Sequence, residues 1–260
     1  MNFVVLGSGT ANPHPRRSSP GFWLETSGGV ALLDFGASTL HRLAEEELDW
    51  ANIDSIWISH FHLDHCAGLA PFLFATRHAP ETRDRSNALK IFGAVGLRDL
   101  ISQFDKAGGG KLLKQRFPVE MIEIDHLNNF ELLPGVSAIA MKTPHTDNSY
   151  AIRIDDGQAT MVYTSDTGFN KGIASFAKNA DLLIVESSFL RDKTTAIHLE
   201  LAEAMYLIRH ARPKKAMLTH FYADWDRVDF NVEIGSFDPS CEVIEAVDGR
   251  RLTISDLSAK

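Results

Sequence analysis

The sequence predicts an α/β or α+β fold with at least two β-sheets, and three observations carry that expectation. Short β-rich runs alternate with helical stretches along most of the 260 residues. The middle of the chain departs from this rhythm, with consecutive strands joined by hairpin-type turns such as Asp155-Asp156-Gly157-Gln158. No linker, low-complexity tract or internal repeat interrupts the pattern, so a single domain spanning 1–260 is expected.

Taken in order, residues 3–6, 21–25 and 30–34 read as strands between Gly- and Pro-bearing turns. Residues 38–48 read as a helix, with Leu40, Leu43, Ala44 and Glu47 at helical spacing. Residues 53–59 are apolar enough for a strand buried on both faces, and an apolar helix over 67–76 follows. Residues 90–92 and 96–104 make another strand and helix. The run of consecutive strands comprises 119–124, 130–133, 137–142, 150–154 and 160–164. A strand at 182–186, a helix at 199–211 and a strand at 215–219 come next. The tail, 241–254, reads as a closing hairpin around Asp248-Gly249.

Composition narrows the class. With 44% hydrophobic and 23% charged residues, the chain is globular rather than disordered or fibrous. Its formal charge of -8 disfavours a protein that merely coats nucleic acid. No window approaches the ~18 apolar residues that a membrane span requires. Cys66 and Cys241 lie far apart without C-x-x-C spacing, and the opening Met1-Asn2-Phe3 has no basic region before its apolar run. A reduced, cytoplasmic protein is the expectation. Two polar stretches, 77–87 and 108–116, read as loops: solvated surface, or a cationic rim for a phosphate-bearing substrate.

The strongest chemical signal is Ser59-His60-Phe61-His62-Leu63-Asp64-His65. It begins where a buried strand ends, at the sheet edge where α/β proteins place their sites. Alternate residues of an extended segment point the same way, so His60 and His62 can reach one metal ion. The chain then turns, and Asp64 and His65 can face a second position. His145, Asp166 and His220 each follow a predicted strand, which makes five His and two Asp in all, enough for two ions. Imidazole and carboxylate suit zinc, manganese or iron. The remaining histidines, His14, His41, His78, His126 and His210, lack such placement and are expected at the surface or in packing.

This pattern resembles the metallo-β-lactamase superfamily of binuclear metallohydrolases, from Leu6-Gly7-Ser8-Gly9-Thr10 to the terminal strands. The closer likeness is to the ribonuclease Z-like branch. It is carried by Arg16-Arg17-Ser18-Ser19, Ser165-Asp166-Thr167, Leu218-Thr219-His220-Phe221 and the pair Glu186 and His198, the latter expected at a helix start. The resemblance implies a four-layer αββα sandwich with two mixed sheets. It implies two divalent ions, zinc first with manganese or iron as the other choices: His60, His62 and His145 on one, Asp64, His65 and His220 on the other, Asp166 between them. It implies a shared water made acidic by the ions, oriented by Asp64, with His198 as general acid held by Glu186 or Asp64.

The implied activity is a phosphodiesterase, acting on a small or cyclic phosphodiester or on RNA. Asp166 follows His145 by 21 positions, too few for the long arm with which transfer-RNA-maturing relatives grip their substrate. Leu199 and Glu200 also stand where the branch usually has Ser or Thr after its His. Both weigh against transfer-RNA processing and put a smaller or cyclic phosphodiester level with RNA. Hydrolysis of a thioester, lactone or lactam on the same cage is the alternative, followed by a non-catalytic metal-dependent binding protein. A homodimer is also implied, with Phe72 and Phe74 of the 67–76 helix either covering its interface or filling the core.

Overall fold

Apolar residues alternate or run unbroken along every central strand, and burying those faces produces two sheets packed face to face. The computed structural model describes residues 1–254. The first sheet contains β1 (Asn2–Gly7), β2 (Gly21–Thr26), β3 (Gly29–Leu33), β4 (Ser55–Ile58), β5 (Leu89–Ala94) and β6 (Val119–Ile124), with β14 (Arg251–Thr253) at the edge beside β1. The second contains β7 (Asn129–Leu133), β8 (Val136–Lys142), β9 (Tyr150–Asp155), β10 (Thr160–Tyr163), β11 (Leu182–Glu186), β12 (Lys215–Thr219) and β13 (Glu242–Glu245) in that order. Each sheet is mixed. β3 to β6 run parallel in one and β10 to β13 in the other, and the rest pair antiparallel.

Helices close both outer faces. α1 (Thr39–Glu45), α3 (Leu69–His78) and α4 (Leu97–Ala107) cover the first sheet, where Leu43, Phe72 and Ile101 pack with Leu32, Ile56 and Ile91. α5 (Lys171–Phe176) and α6 (Leu201–Ala211) cover the second, and α7 (Phe230–Gly235) packs near the chain's end. Between the sheets, Phe22 meets Phe3 and Tyr163 at centroid distances of 5.4 and 5.1 Å. The result is the four-layer αββα sandwich.

Phe72 belongs to the core: it is fully buried, 5.0 Å from Phe35, and its burial contributes about 2–3 kcal/mol. Phe74 is 56% exposed and packs on the His78 ring. Their neighbour in sequence is α2 (Leu63–Cys66), a separate short helix that carries the second half of the histidine motif.

Several expectations need correction. β6 is not part of the hairpin run; it pairs in parallel with β5 along its whole length. The tail is not a hairpin either, because β13 joins β12 in the second sheet while β14 joins β1 in the first. Asp248 holds the chain between them, accepting from Ser8 N, Ser8 Oγ and Ser18 N. Helices α5 and α7, of six residues each, carry too few turns for a periodic signal.

The 77–87 stretch is anchored rather than rim-like. Arg85 is buried, donates to the carbonyls of Ala51 and Ile53, and stacks 4.2 Å over Phe117. Those carbonyls precede β4, so this loop sits at the end of the sheet opposite the histidine motif. The same holds for 108–116, which leads into the start of β6 and is tied by Arg77 to the carbonyls of Lys111 and Lys114.

Candidate metal centre

All the candidate ligands follow carboxyl ends of strands, and the two-sheet packing brings those ends together. β4 delivers His60 and His62, α2 delivers Asp64 and His65, β8 leads to His145, β10 to Asp166, and β12 to His220. Two glycines permit the approach. A Cβ on Gly36 would lie 2.3 Å from the Asp64 carbonyl, so only glycine lets the loop after β3 press on α2. A Cβ on Gly168 would lie 2.1 Å from the Ala196 carbonyl and 3.0 Å from that of Pro144, so this glycine lets the Asp166, His145 and His198 loops meet.

Two clusters result. In the first, His62 Nδ1 lies 3.1 Å from His60 Nε2 and 3.0 Å from His145 Nε2, while Asp166 Oδ2 is 3.8 and 3.6 Å from those two Nε2 atoms. In the second, Asp64 Oδ2 is 3.6 Å from both His65 Nε2 and His220 Nε2, and Asp166 Oδ1 is 3.4 and 3.3 Å from them. The two oxygens of Asp166 therefore face different clusters. A tetrahedral ion with ~2.1 Å bonds has ligand edges of about 3.4 Å, the scale of these separations.

The chemistry of the donors fits a pair of cations. His65 Nε2 and His220 Nε2 are buried with no hydrogen-bond partner, an arrangement that costs about 1–3 kcal/mol per group unless something satisfies the lone pair. Burial and the neighbouring His65 hold His60 well below the usual histidine range, which keeps its imidazole neutral and available. Burial opposes the charge of Asp166, yet His220 and His65 beside it outweigh that and hold its carboxyl well below the ordinary value. Donors of this kind, His and Asp grouped in two sets around a shared carboxylate, suit a binuclear centre.

Behind the clusters, hydrogen bonds set which imidazole nitrogen is free. His65 Nδ1 lies 2.7 Å from Asp34 Oδ2, His145 Nδ1 donates to the Ile197 carbonyl at 2.9 Å, and His220 Nδ1 is 2.9 Å from Ser188 Oγ. Asp34 also accepts from Ser59 N, Ser59 Oγ and Tyr163 OH at 2.8 to 2.9 Å. Ser165 Oγ donates to Ser59 Oγ at 2.7 Å, so one network lies behind both clusters. Sequence reasoning missed Asp34. Its signal was available, since it is an acid directly after an apolar strand, in Leu33-Asp34-Phe35-Gly36. Asp34, Ser165 and His220 all adopt positive φ (61°, 54° and 62°), the left-handed strain that accumulates at sites.

His198 lies in the loop before α6 rather than at its first turn, three residues ahead of Leu201. Its Nδ1 pairs with Glu186 Oε1 at 2.9 Å, and Asp166 Oδ2 is 4.0 Å away. Burial alone would lower its pKa, but the hydrogen bond and charge of Glu186 outweigh burial and raise it. The cleft beside the clusters measures about 730 Å³; His62, Leu63, Asp64, Asp166, His198, His220 and Tyr222 line it together with the small side chains of Ala11, Ser19, Ala37 and Ala67. Arg16 and Arg17 do not line it; both bind Asp226, at 3.0 and 2.8 Å.

With this geometry in view, the model of the family described as anti-Pycsar protein Apyc1 matches residues 1–237. The chain belongs to the Apyc1 family. Among the relatives of this Apyc1-family chain is the probable metallo-hydrolase YhfI of Bacillus subtilis strain 168. It is 29% identical over 223 residues, covering 85% of this chain and 86% of YhfI. The YhfI crystal structure, described as a metallo-beta-lactamase fold protein, has a TM-score of 0.80 at 26% identity, covering 97% of this chain and 99% of YhfI. Ribonuclease Z of Thermococcus onnurineus strain NA1 is 24% identical over 269 residues, covering 85% of this chain and 84% of its own. Human tRNase Z, short form, shares the fold with a TM-score of 0.76 at 23% identity, covering 98% and 99% of the two chains. The Apyc1-family chain is thus a member of the metallo-β-lactamase superfamily in its ribonuclease Z-like branch, a family of metal-dependent hydrolases. Among its described residues, no helix is long and apolar enough to cross a membrane.

Proposed function

We propose that the chain is a binuclear metal-dependent phosphodiesterase acting on a small or cyclic phosphodiester. The observation that carries this reading is the Asp166 carboxylate facing two histidine clusters, with the Glu186-bound His198 at its edge. His60, His62, His145 and Asp166 would hold one ion, and Asp64, His65, His220 and Asp166 the other. Zinc suits these donors best, with manganese or iron next; when bound, the ions supply Lewis acidity to a phosphoryl oxygen and acidify water.

The chain's own groups do the rest. Asp64, at the cleft surface, accepts a hydrogen bond from the incoming nucleophile and fixes its direction. His198 keeps Nδ1 on Glu186, so Nε2 is the nitrogen that hands a proton to the departing ester oxygen as the P–O bond breaks. Glu186 holds the imidazole in that tautomer. Size is what favours a small substrate over RNA: between His145 and Asp166 the chain forms β9, β10 and a tight turn, with no protruding arm.

The test is turnover of bis(p-nitrophenyl) phosphate with added zinc or manganese. Activity lost in Asp166→Ala and His62→Ala supports the assignment; activity that survives both substitutions excludes this centre as its source. One observation favours acyl hydrolysis as the second reading, namely that among the described residues no Lys or Arg lines the cleft. Thioester or lactone turnover that exceeds diester turnover and survives His198→Ala would install that reading instead.

A further inference from the structure

The stretch between β11 and α6 is a loop closed at its base. Phe189 N–H donates to the Leu199 carbonyl at 3.1 Å and Leu201 N–H to the Phe189 carbonyl at 3.0 Å, which brings the two ends together. From Arg191 to Ile197 every residue is exposed or half-buried, so apolar packing does not fix this run. Yet three contacts tie the loop to the candidate centre. The Ile197 carbonyl accepts from His145 Nδ1, the Ala196 carbonyl abuts Gly168, and His198 pairs with Glu186.

One side chain supplies the missing anchor. Lys193 Nζ donates to both carboxylate oxygens of Glu203 at 2.7 Å and to the His198 carbonyl at 3.2 Å, which uses all three donors of an ammonium. Glu203 lies in the first turn of α6 and also accepts from the Glu200 amide at 3.2 Å, while Lys193 N–H donates to Glu200 Oε2 at 3.3 Å. A cation at the start of a helix opposes the helix dipole, so Lys193 stands against the local rule and is held there by the Glu203 carboxylate. Lys193 itself does not line the cleft. We infer that Lys193 is a positioning residue for proton transfer: its ammonium pins the His198 main chain to α6 while Glu186 pins the ring, and the two together fix where Nε2 points. The inference rests on the phosphodiesterase reading for its chemistry and adds the residue that holds the general acid from behind.

The experiment compares bis(p-nitrophenyl) phosphate with diphenyl phosphate on the full-length, zinc-loaded protein. The two esters share a shape and differ in how much the departing oxygen needs a proton. Lys193→Met keeps the stem and removes the donors; it lowers kcat on diphenyl phosphate about tenfold and on the p-nitrophenyl ester less than about twofold. Lys193→Arg still donates to both partners and stays within about twofold of the wild type on each. In the metal-free protein, the Leu199 and Glu200 amides, bonded to Glu186 and Glu203, exchange with deuterium about tenfold faster in Lys193→Met, while those of β11 and β12 are unchanged. Equal losses on the two esters, a full rate in Lys193→Met, or unchanged exchange at Leu199 and Glu200 would each overturn the assignment. A wild type that turns over neither ester removes the phosphodiesterase reading alone, and the exchange measurement then decides the clamp by itself.

Discussion

Glu186 Oε1 lies 2.9 Å from His198 Nδ1, and the same buried carboxylate accepts from the amides of Thr167, Ser188 and Leu199 and from Ser188 Oγ. The donors come from the β10 loop, from the residues after β11 and from the approach to α6. Glu186 is therefore a fixed point that ties His198 to the Asp166 loop. Asp64, the other carboxylate considered for this role, faces His65 and His220 instead.

His198 matters most when the leaving group is poor. His198→Ala should lower turnover of an alkyl phosphodiester by about 10²–10⁴. A p-nitrophenolate leaves without protonation, so its release should fall less than tenfold. Glu186→Gln should show the same pattern more weakly. Steady-state rates on the two esters check this, and equal losses on both would assign His198 to the structure rather than to proton transfer.

Asp34 carries several buried partners at once. Asp34→Ala takes the carboxylate partner from His65 Nδ1, the Ser59 amide and hydroxyl, and Tyr163 OH, and should cost about 3 kcal/mol or more. Tyr163→Phe removes one donor from a carboxylate that retains the others, and should cost about 1 kcal/mol. Chemical denaturation separates the two, and zinc stoichiometry should fall only for Asp34→Ala.

Zinc added to chelator-stripped protein should raise Tm. At an ion concentration a hundredfold above Kd the stabilisation is about 2.7 kcal/mol, or roughly 5 °C and upward for a chain of this size. Most of the gain should vanish in Asp166→Ala, which loses the carboxylate that both clusters share. A thermal scan reads it directly.

Gly168→Ala should hurt chemistry more than folding. The added methyl meets the Ala196 carbonyl at 2.1 Å, so the loops bearing Asp166 and His198 must separate. A destabilisation of about 1–3 kcal/mol is expected. Activity should fall about a hundredfold, the usual result of a ~1 Å misplacement of a catalytic group.

Asp226 clamps the loop after β1 to the loop after β12, accepting from His14, Arg16 and Arg17. Slight burial would raise its pKa, but His14 and Arg17 outweigh it and hold the carboxyl below the usual range. Its stabilisation is therefore present above the ordinary Asp value of about 4 and lost as pH falls through the lower folded value. At neutral pH, Asp226→Asn should lower stability by up to about 1 kcal/mol, as expected of a mostly solvated pair. Tm measured against pH should show that gap closing as pH falls below the ordinary Asp value.

The donors were legible because residue type and strand-end position coincide at His60, His62, His145, Asp166 and His220, and each signal is local. Asp34 was not, since one acid after one strand is common and its meaning lies in Tyr163, 129 positions away. Tyr222 was equally silent, because an aromatic beside a strand end reads as core until the cleft is seen. The tail misled for a related reason. Residues 241–254 have hairpin chemistry at Asp248-Gly249, yet Asp248 is held by Ser8 and Ser18, and the flanking strands find partners in separate sheets.

The amino-acid order by itself determined the α/β alternation, a set of His and Asp donors suited to two cations and the limit on any arm between His145 and Asp166. Tertiary structure alone decided that Asp166 faces two clusters, that Glu186 rather than Asp64 holds His198, and that the Lys- and Arg-bearing loops sit at the far end of the sheet. The division has a physical cause. Periodicity and ligand type act within a few residues, whereas sheet pairing and the meeting of strand ends are fixed by contacts between segments far apart in the chain, such as Ser8 and Asp248, 240 positions apart.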